Sequence, residues 1–271
     1  MSNDGQLGNI VAWRMPNEVS LDDLRNALAS AQLDPEMAGD LHPRYVLSRA
    51  LRKMKKGHVI AKLQALDANK VSFQLTEQQV TGESAEYYKE GVVTMELDTW
   101  NLHSDNATIE LQARDLVAAH TKKRLTGDLT KLVQRLYDGA KADLIPIREQ
   151  GGAYFVPDEH TELVDKSRVL LHSIGGRLNS FAVRLGSEDT AASVADSMTE
   201  YLTGLIGEFK ESCDKITSKS RDDAINNRMD RVAELKRKLE CYRGILGAAA
   251  DSIGAEIEAS EAGLMAKLAA S

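Results

Sequence analysis

After Pro157 the chain has no further proline, and from about Ser187 it reads as amphipathic helix almost to its C-terminus. Ile225, Val232, Leu239, Leu246 and Ile253 recur on a strict seven-residue step, with Met229 four residues after Ile225. An aliphatic line at this period is the seam of a helix packed lengthwise on another helix. A second apolar face, Val194, Met198, Leu202, Leu205 and Phe209, precedes it, and the polar stretch from Lys215 to Asp223 separates the two. The pattern predicts a helical hairpin that turns at 215–223; one continuous rod is the other reading. A seam of this kind serves assembly. Ile225, Met229, Val232, Leu239, Leu246 and Ile253 are therefore candidate contacts with a protein partner or a second copy, unless the chain satisfies them itself.

The preceding two thirds has other periods. Residues 9–14 read as a short strand, and Ser20 stands as N-cap before a helix with Leu21, Leu24 and Leu28 on one face. A second helix is expected from about Arg44 to Lys56, with Leu47, Ala50, Leu51 and Met54 inward and Gly57 as its stop. Four strands are expected at 59–66, 70–78, 90–98 and 107–111. The alternations Val71/Phe73/Leu75 and Val93/Met95/Leu97, with polar turns between the runs, point to antiparallel hairpins. One long helix from about Ala113 to Ala140, with Gly127 as its weak point, would cover that sheet. Residues 144–148 and 153–157 form a further hairpin, placed at a sheet edge by Pro146 and Pro157. A helix from about Asp158 to Ser173, stopped by Gly175 and Gly176, and a strand at 179–185 complete the region. The fold class is α+β, a mostly antiparallel sheet with covering helices, followed by a long helical hairpin or coiled-coil tail. The expected division is a flexible 1–8, a head at 9–186 and a helical tail at 187–271.

Composition narrows the function. Aromatic residues make up only 5% of a chain that is 42% hydrophobic, so its core is aliphatic. The net charge of -7 argues against a protein that coats nucleic acid uniformly, but permits a local basic face. Cys213 and Cys241 are the only cysteines, too few for a disulfide framework or a cysteine-based zinc site. His160 and His172 are twelve residues apart on one helix, and Glu159-His160 lacks the second histidine of a zinc-protease motif. His58 and His103 read as structural. Glu159 and Glu162 suit the first turn of a helix better than an acid–base pair. No phosphate-binding loop, nucleophile elbow or dinucleotide fingerprint occurs. The sequence thus offers no catalytic residue, and no metal or cofactor is expected. No apolar run approaches the roughly 20 residues that span a membrane, and the polar start lacks a signal-peptide core. A cytoplasmic protein with no membrane partner is the expectation.

Two basic runs stand out. Arg44, Arg49, Arg52, Lys53, Lys55 and Lys56 crowd one short helix, and His120, Lys122, Lys123 and Arg124 form a smaller cluster. Phosphates would bind such clusters with release of counterions. The competing reading is the solvated face of an amphipathic helix. Convergence of the two runs on one surface would favour the first.

The stretch Ile145-Pro146-Ile147-Arg148-Glu149-Gln150-Gly151-Gly152-Ala153-Tyr154-Phe155-Val156-Pro157, followed by a helix, a strand and long helices, resembles an uncharacterised domain family carried by bacteria and their phages or mobile elements. The resemblance covers about residues 44–187. It implies a phage, plasmid or defence setting and brings no activity with it. Two functions are carried forward: a non-enzymatic assembly or adaptor protein acting through its C-terminal helices, and a nucleic-acid-binding protein using the basic helix at 44–56.

Overall fold

The computed structural model describes residues 5–54, 59–67, 69–81, 84–147, 152–184, 188–214 and 222–269. The fold is α+β with antiparallel sheets and C-terminal helices, and it divides into two compact units. One comprises Met1–Arg14, Val133–His172 and Gly176–Ser271; the other comprises Met15–Leu132 and Ser173–Gly175. This differs from the expected head and tail. The first strand joins the sheet that packs on the C-terminal helices, so the chain's beginning and end share a unit.

In that unit β1 (Gln6–Arg14) lies between β10 (Arg177–Arg184) and β9 (Tyr154–Pro157), and β8 (Ile145–Pro146) closes the far edge. Every pairing is antiparallel. Residues 6–8, expected as free lead-in, already belong to β1. Gly8 is required there, because a Cβ would run into the Val156 carbonyl and the Phe155 ring. Ile10 stands opposite both Phe181 and Phe155. On this face Phe155, Ile145 and Val183 are buried in one core with the C-terminal helices. The other face meets α5 (Thr161–Ser173), where Asn9 Nδ2 donates to Thr161 Oγ1 at 3.2 Å and Arg168 donates to Ser180 Oγ at 2.5 Å.

The tail is a three-helix bundle, not the expected hairpin or rod. It consists of α6 (Glu188–Asp214), α7 (Asp222–Leu246) and α8 (Ala249–Ala269), each packed on the other two. The expected corner lies largely outside the described residues. The additional break falls at Gly247, whose φ of 54° is a left-handed conformation that glycine tolerates best. Its N–H donates to Arg243 O at 3.1 Å, ending α7. The heptad line crosses this break: Val232, Leu239 and Leu246 on α7 and Ile253 on α8 are all at most 5% exposed within the chain's own core. Met229 packs against that core, half-buried, and Ile225 is half-buried. At Gly254 a Cβ would sit 3.3 Å from Leu239, so α8 approaches α7 closely there.

In the other unit Ser20 caps α1 (Leu21–Ser30), accepting from the Asp23 N–H at 3.0 Å. The helix α2 (Pro43–Lys53) buries Val46, Leu47, Ala50 and Leu51. A meander of β3 (Val59–Leu66), β4 (Lys70–Thr81), β5 (Ser84–Glu96) and β6 (Leu102–Ser104) supplies Val71, Phe73, Leu75, Val93 and Met95 to the same core. The expected strand at 107–111 is instead the start of α3 (Ala107–Thr121). Asn106 caps it by accepting from the Thr108 and Ile109 N–H groups at 3.1 and 3.3 Å, and this local signal outweighs the apparent alternation. The long covering helix expected over 113–140 is two helices. Between α3 and α4 (Thr126–Gly139) the chain extends as β7 (Lys123–Leu125), paired with β2 (Glu18–Ser20). Asp128 restarts the helix, its carboxylate accepting from the Leu125 N–H at 2.9 Å.

If the seam closes within one chain, Leu239→Ala lowers unfolding stability by about 2–5 kcal/mol through a core cavity. Its urea midpoint will be independent of protein concentration. A midpoint that rises with concentration would return the seam to contacts between chains.

Candidate functional site

One stripe of α2 carries Tyr45, Arg52 and Lys53, all exposed, with Arg49 half-buried among them, opposite the buried Val46, Leu47, Ala50 and Leu51. These positions follow the helix repeat at i, i+4, i+7 and i+8. Tyr45 is 61% exposed, and Arg44 flanks the stripe half-buried. Lys55 and Lys56 lie outside the described residues.

The second basic run does not act as one patch. Lys122 is exposed at the end of α3, and Lys123 forms an ion pair with Glu18 at 2.7 Å. Arg124 is only 2% exposed and is unsuited to a solvent polyanion. Its guanidinium donates to the carbonyls of Gly39, Ala38, Thr121 and Lys123, fastening the segment before α2 to the α3–β7 turn. Burial pushes its ionisation down.

Arg49 is also partly committed. It forks onto Asp128 with two bonds of 2.6 Å, which raises its own ionisation. Burial opposes the charge of Asp128, but the Arg49 fork and the Leu125 N–H outweigh it and hold the carboxyl below its usual range.

His120 ties the two runs together. It is buried at the end of α3, and its protonation is pushed down first by burial, then by the charges of Lys53, Arg49 and Lys123. The helix α2 packs along α3, and positive charge from its last turn and from β7 acts on this one imidazole. Among the described residues Arg44, Arg52, Lys53 and Lys122 form no ion pair, and Arg52 and Lys53 are the exposed cations of the last turn of α2. Glu18 tempers this charge, its carboxyl held low by Lys123 and more weakly by Lys53 and His120.

A second cluster, in the other unit, was not anticipated from sequence. Asp143, between α4 and β8, accepts from the Lys238 ammonium and the Tyr242 hydroxyl, both from α7. Tyr201 of α6 lies 3.3 Å from Lys238 Nζ and 3.5 Å from Asp143 Oδ1. Glu234 is a further partner of Lys238 at 3.5 Å. Asp143, Lys238 and Tyr242 are all buried, and the first two line a pocket of about 320 Å³ together with Asp138, Lys141 and Arg231. Burial disfavours the Lys238 charge, but the bond to Asp143 and its negative charge prevail and raise its ionisation. Burial and then the Asp143 charge push the Tyr201 and Tyr242 hydroxyls up. The directions of these shifts favour the protonated amine and the neutral phenols, and the cluster ties the segment before β8 to α7. The sequence did carry a signal: Lys238 falls on the apolar face of α7 between Leu235 and Tyr242. A lysine so placed requires a buried acceptor.

A family model matches residues 6–270. The chain belongs to DUF6744, a family of unknown function. The DUF6744 match runs through both units, whereas the resemblance read from the sequence covered about 44–187. No curated protein and no solved structure matches the chain. Among the described residues no helix is long and apolar enough to cross a membrane.

The raised ionisation of Lys238, Tyr201 and Tyr242 sets the pH response. Their contribution to stability is complete below about pH 10, where these groups are also protonated in the unfolded chain, and it is lost as pH rises through their higher folded values. Asp143→Ala takes from the Lys238 ammonium its buried carboxylate, leaving it the exposed Glu234 and the Tyr201 hydroxyl, and costs about 3 kcal/mol. Adding Lys238→Met recovers most of that loss and flattens the decline above pH 10. Urea titrations from pH 7 to 11 test both effects; an Asp143→Ala variant as stable as the parent would dismiss the tie.

Proposed function

We propose that this DUF6744 protein is a non-enzymatic binding protein that holds nucleic acid on the surface formed by α2 and the α3–β7 turn. The observation that carries this reading is the exposed stripe of Tyr45, Arg52 and Lys53 on α2, a helix that packs beside α3 and whose charge is felt at His120. Arg52 and Lys53, both exposed in the last turn of α2, can each neutralise a phosphate. Tyr45, exposed in the same stripe, offers a ring on which an unstacked base can lie, which favours a single strand over a duplex. The net charge of -7 does not oppose this, because the affinity depends on the local patch and the remaining acidity weakens indiscriminate binding. On the resemblance carried by residues 145–157, we take its setting to be the cytoplasm of bacteria, with their phages or mobile elements. Assembly through the heptad line is not part of this reading, since Val232, Leu239, Leu246 and Ile253 are buried inside the bundle.

Fluorescence anisotropy with a labelled 20-nucleotide single strand and with its duplex tests the reading. Binding should weaken steeply with salt, and the combined Arg52→Glu and Lys53→Glu change should flatten the salt slope by about 1.4 for the single strand, from a slope of about 0.7 per phosphate. His120 supplies an independent readout by NMR. A bound polyanion screens Lys53, Arg49 and Lys123, so the imidazole titrates at higher pH in the complex than in the free protein. Absent or salt-insensitive binding, or a His120 titration that does not move, would refute the proposal.

A further inference from the structure

The four-stranded sheet ends openly at β10, and no strand lies beyond it among the described residues. Such an edge presents a row of backbone donors and acceptors to any extended chain. Beside it a groove of about 640 Å³ runs between β10 and the last turns of α5. Val169, 45% exposed, and Phe181, 64% exposed, provide its apolar surface. Arg168, His172 and Arg177 also line it, and none of its lining residues is a carboxylate. Arg168 is held in place by Asp165 and Ser180, each at 2.5 Å.

We propose that the β10 edge is a docking site for an extended acidic segment of another protein, which adds to the sheet as a further strand. Backbone bonds to β10 would supply affinity. Alternation of side chains in the added strand then separates its two tasks. Residues on one face reach Arg177 and Phe181; those on the other reach Arg168, Val169 and His172. Acidic residues flanking apolar ones fit both faces. Charge also selects against a second copy. Antiparallel pairing of β10 with itself about the Ser180–Phe181 centre sets Arg177 opposite Arg184, and directly opposed like charges destabilise a strand pair. The proposal is independent of the nucleic-acid reading, which concerns residues of the other unit.

The test uses the intact chain and an acetylated nonapeptide of repeating Glu-Glu-Val-Val, which places glutamate and valine alternately on each face of an added strand, with the Lys-Lys-Val-Val nonapeptide as control. The acidic peptide should bind and slow hydrogen exchange of the β10 amides. Phe181→Asp combined with Arg177→Glu should weaken it at least tenfold, and the lysine peptide should bind at least tenfold less tightly. Both replaced side chains are exposed, and an unchanged melting temperature verifies that the variant remains folded. Three results would each overturn the proposal: no binding at millimolar peptide, equal binding of the two peptides, or binding indifferent to the double change. So would a dimer by light scattering that Phe181→Asp converts to monomer, since a second copy would then occupy the edge.

Discussion

The buried contact of Asp143 with Lys238 and Tyr242 is the polar constraint on which the arrangement of its unit turns. It joins the segment ahead of β8 to the middle of α7, with Tyr201 of α6 drawn in at 3.5 Å. A buried ion pair contributes little net stability over well-packed apolar residues, because both ions lose their hydration. Its effect is on arrangement. Only one rotation of α7 brings Lys238 to a carboxylate while placing Leu235, Leu239 and Tyr242 in the core. With α7 so rotated, Val232 and Leu246 are buried in the bundle core.

The secondary structure was largely legible where periodicity and side-chain caps agree. Ser20, the alternation through Val71, Phe73 and Leu75, and the hairpin before Pro157 all follow from local chemistry. Misreadings arose where one capping side chain outweighed a pattern. Asn106 turned an apparent strand into a helix, and Asp128 split one long helix in two. Gly247 shows a different limit. The apolar line continues in step across it, so the seven-residue spacing alone could not reveal that Ile253 sits on a separate helix running back against α7.

The candidate surface was legible as a list of cations but not as a site. Arg52 and Arg124 are the same residue type in neighbouring runs, yet one faces water and the other is spent on four backbone carbonyls. Arg49 is intermediate, tied to Asp128 with part of its surface open. Which arginines remain available depends on loop carbonyls and on a carboxylate 79 positions away in the chain. Helical spacing around Arg49 carries no information about either.

The two proposed surfaces also differ in physical character. The α2 surface relies on point charges and an exposed ring, so its strength depends on ionic strength and only weakly on the order of bases. The β10 edge relies on directional backbone bonds, with charge acting mainly to choose the sign of the partner. Salt should therefore reduce affinity strongly at the first and only modestly at the second. This difference distinguishes a protein that gathers polyanions from one that also receives a specific protein segment, whatever the identity of either partner.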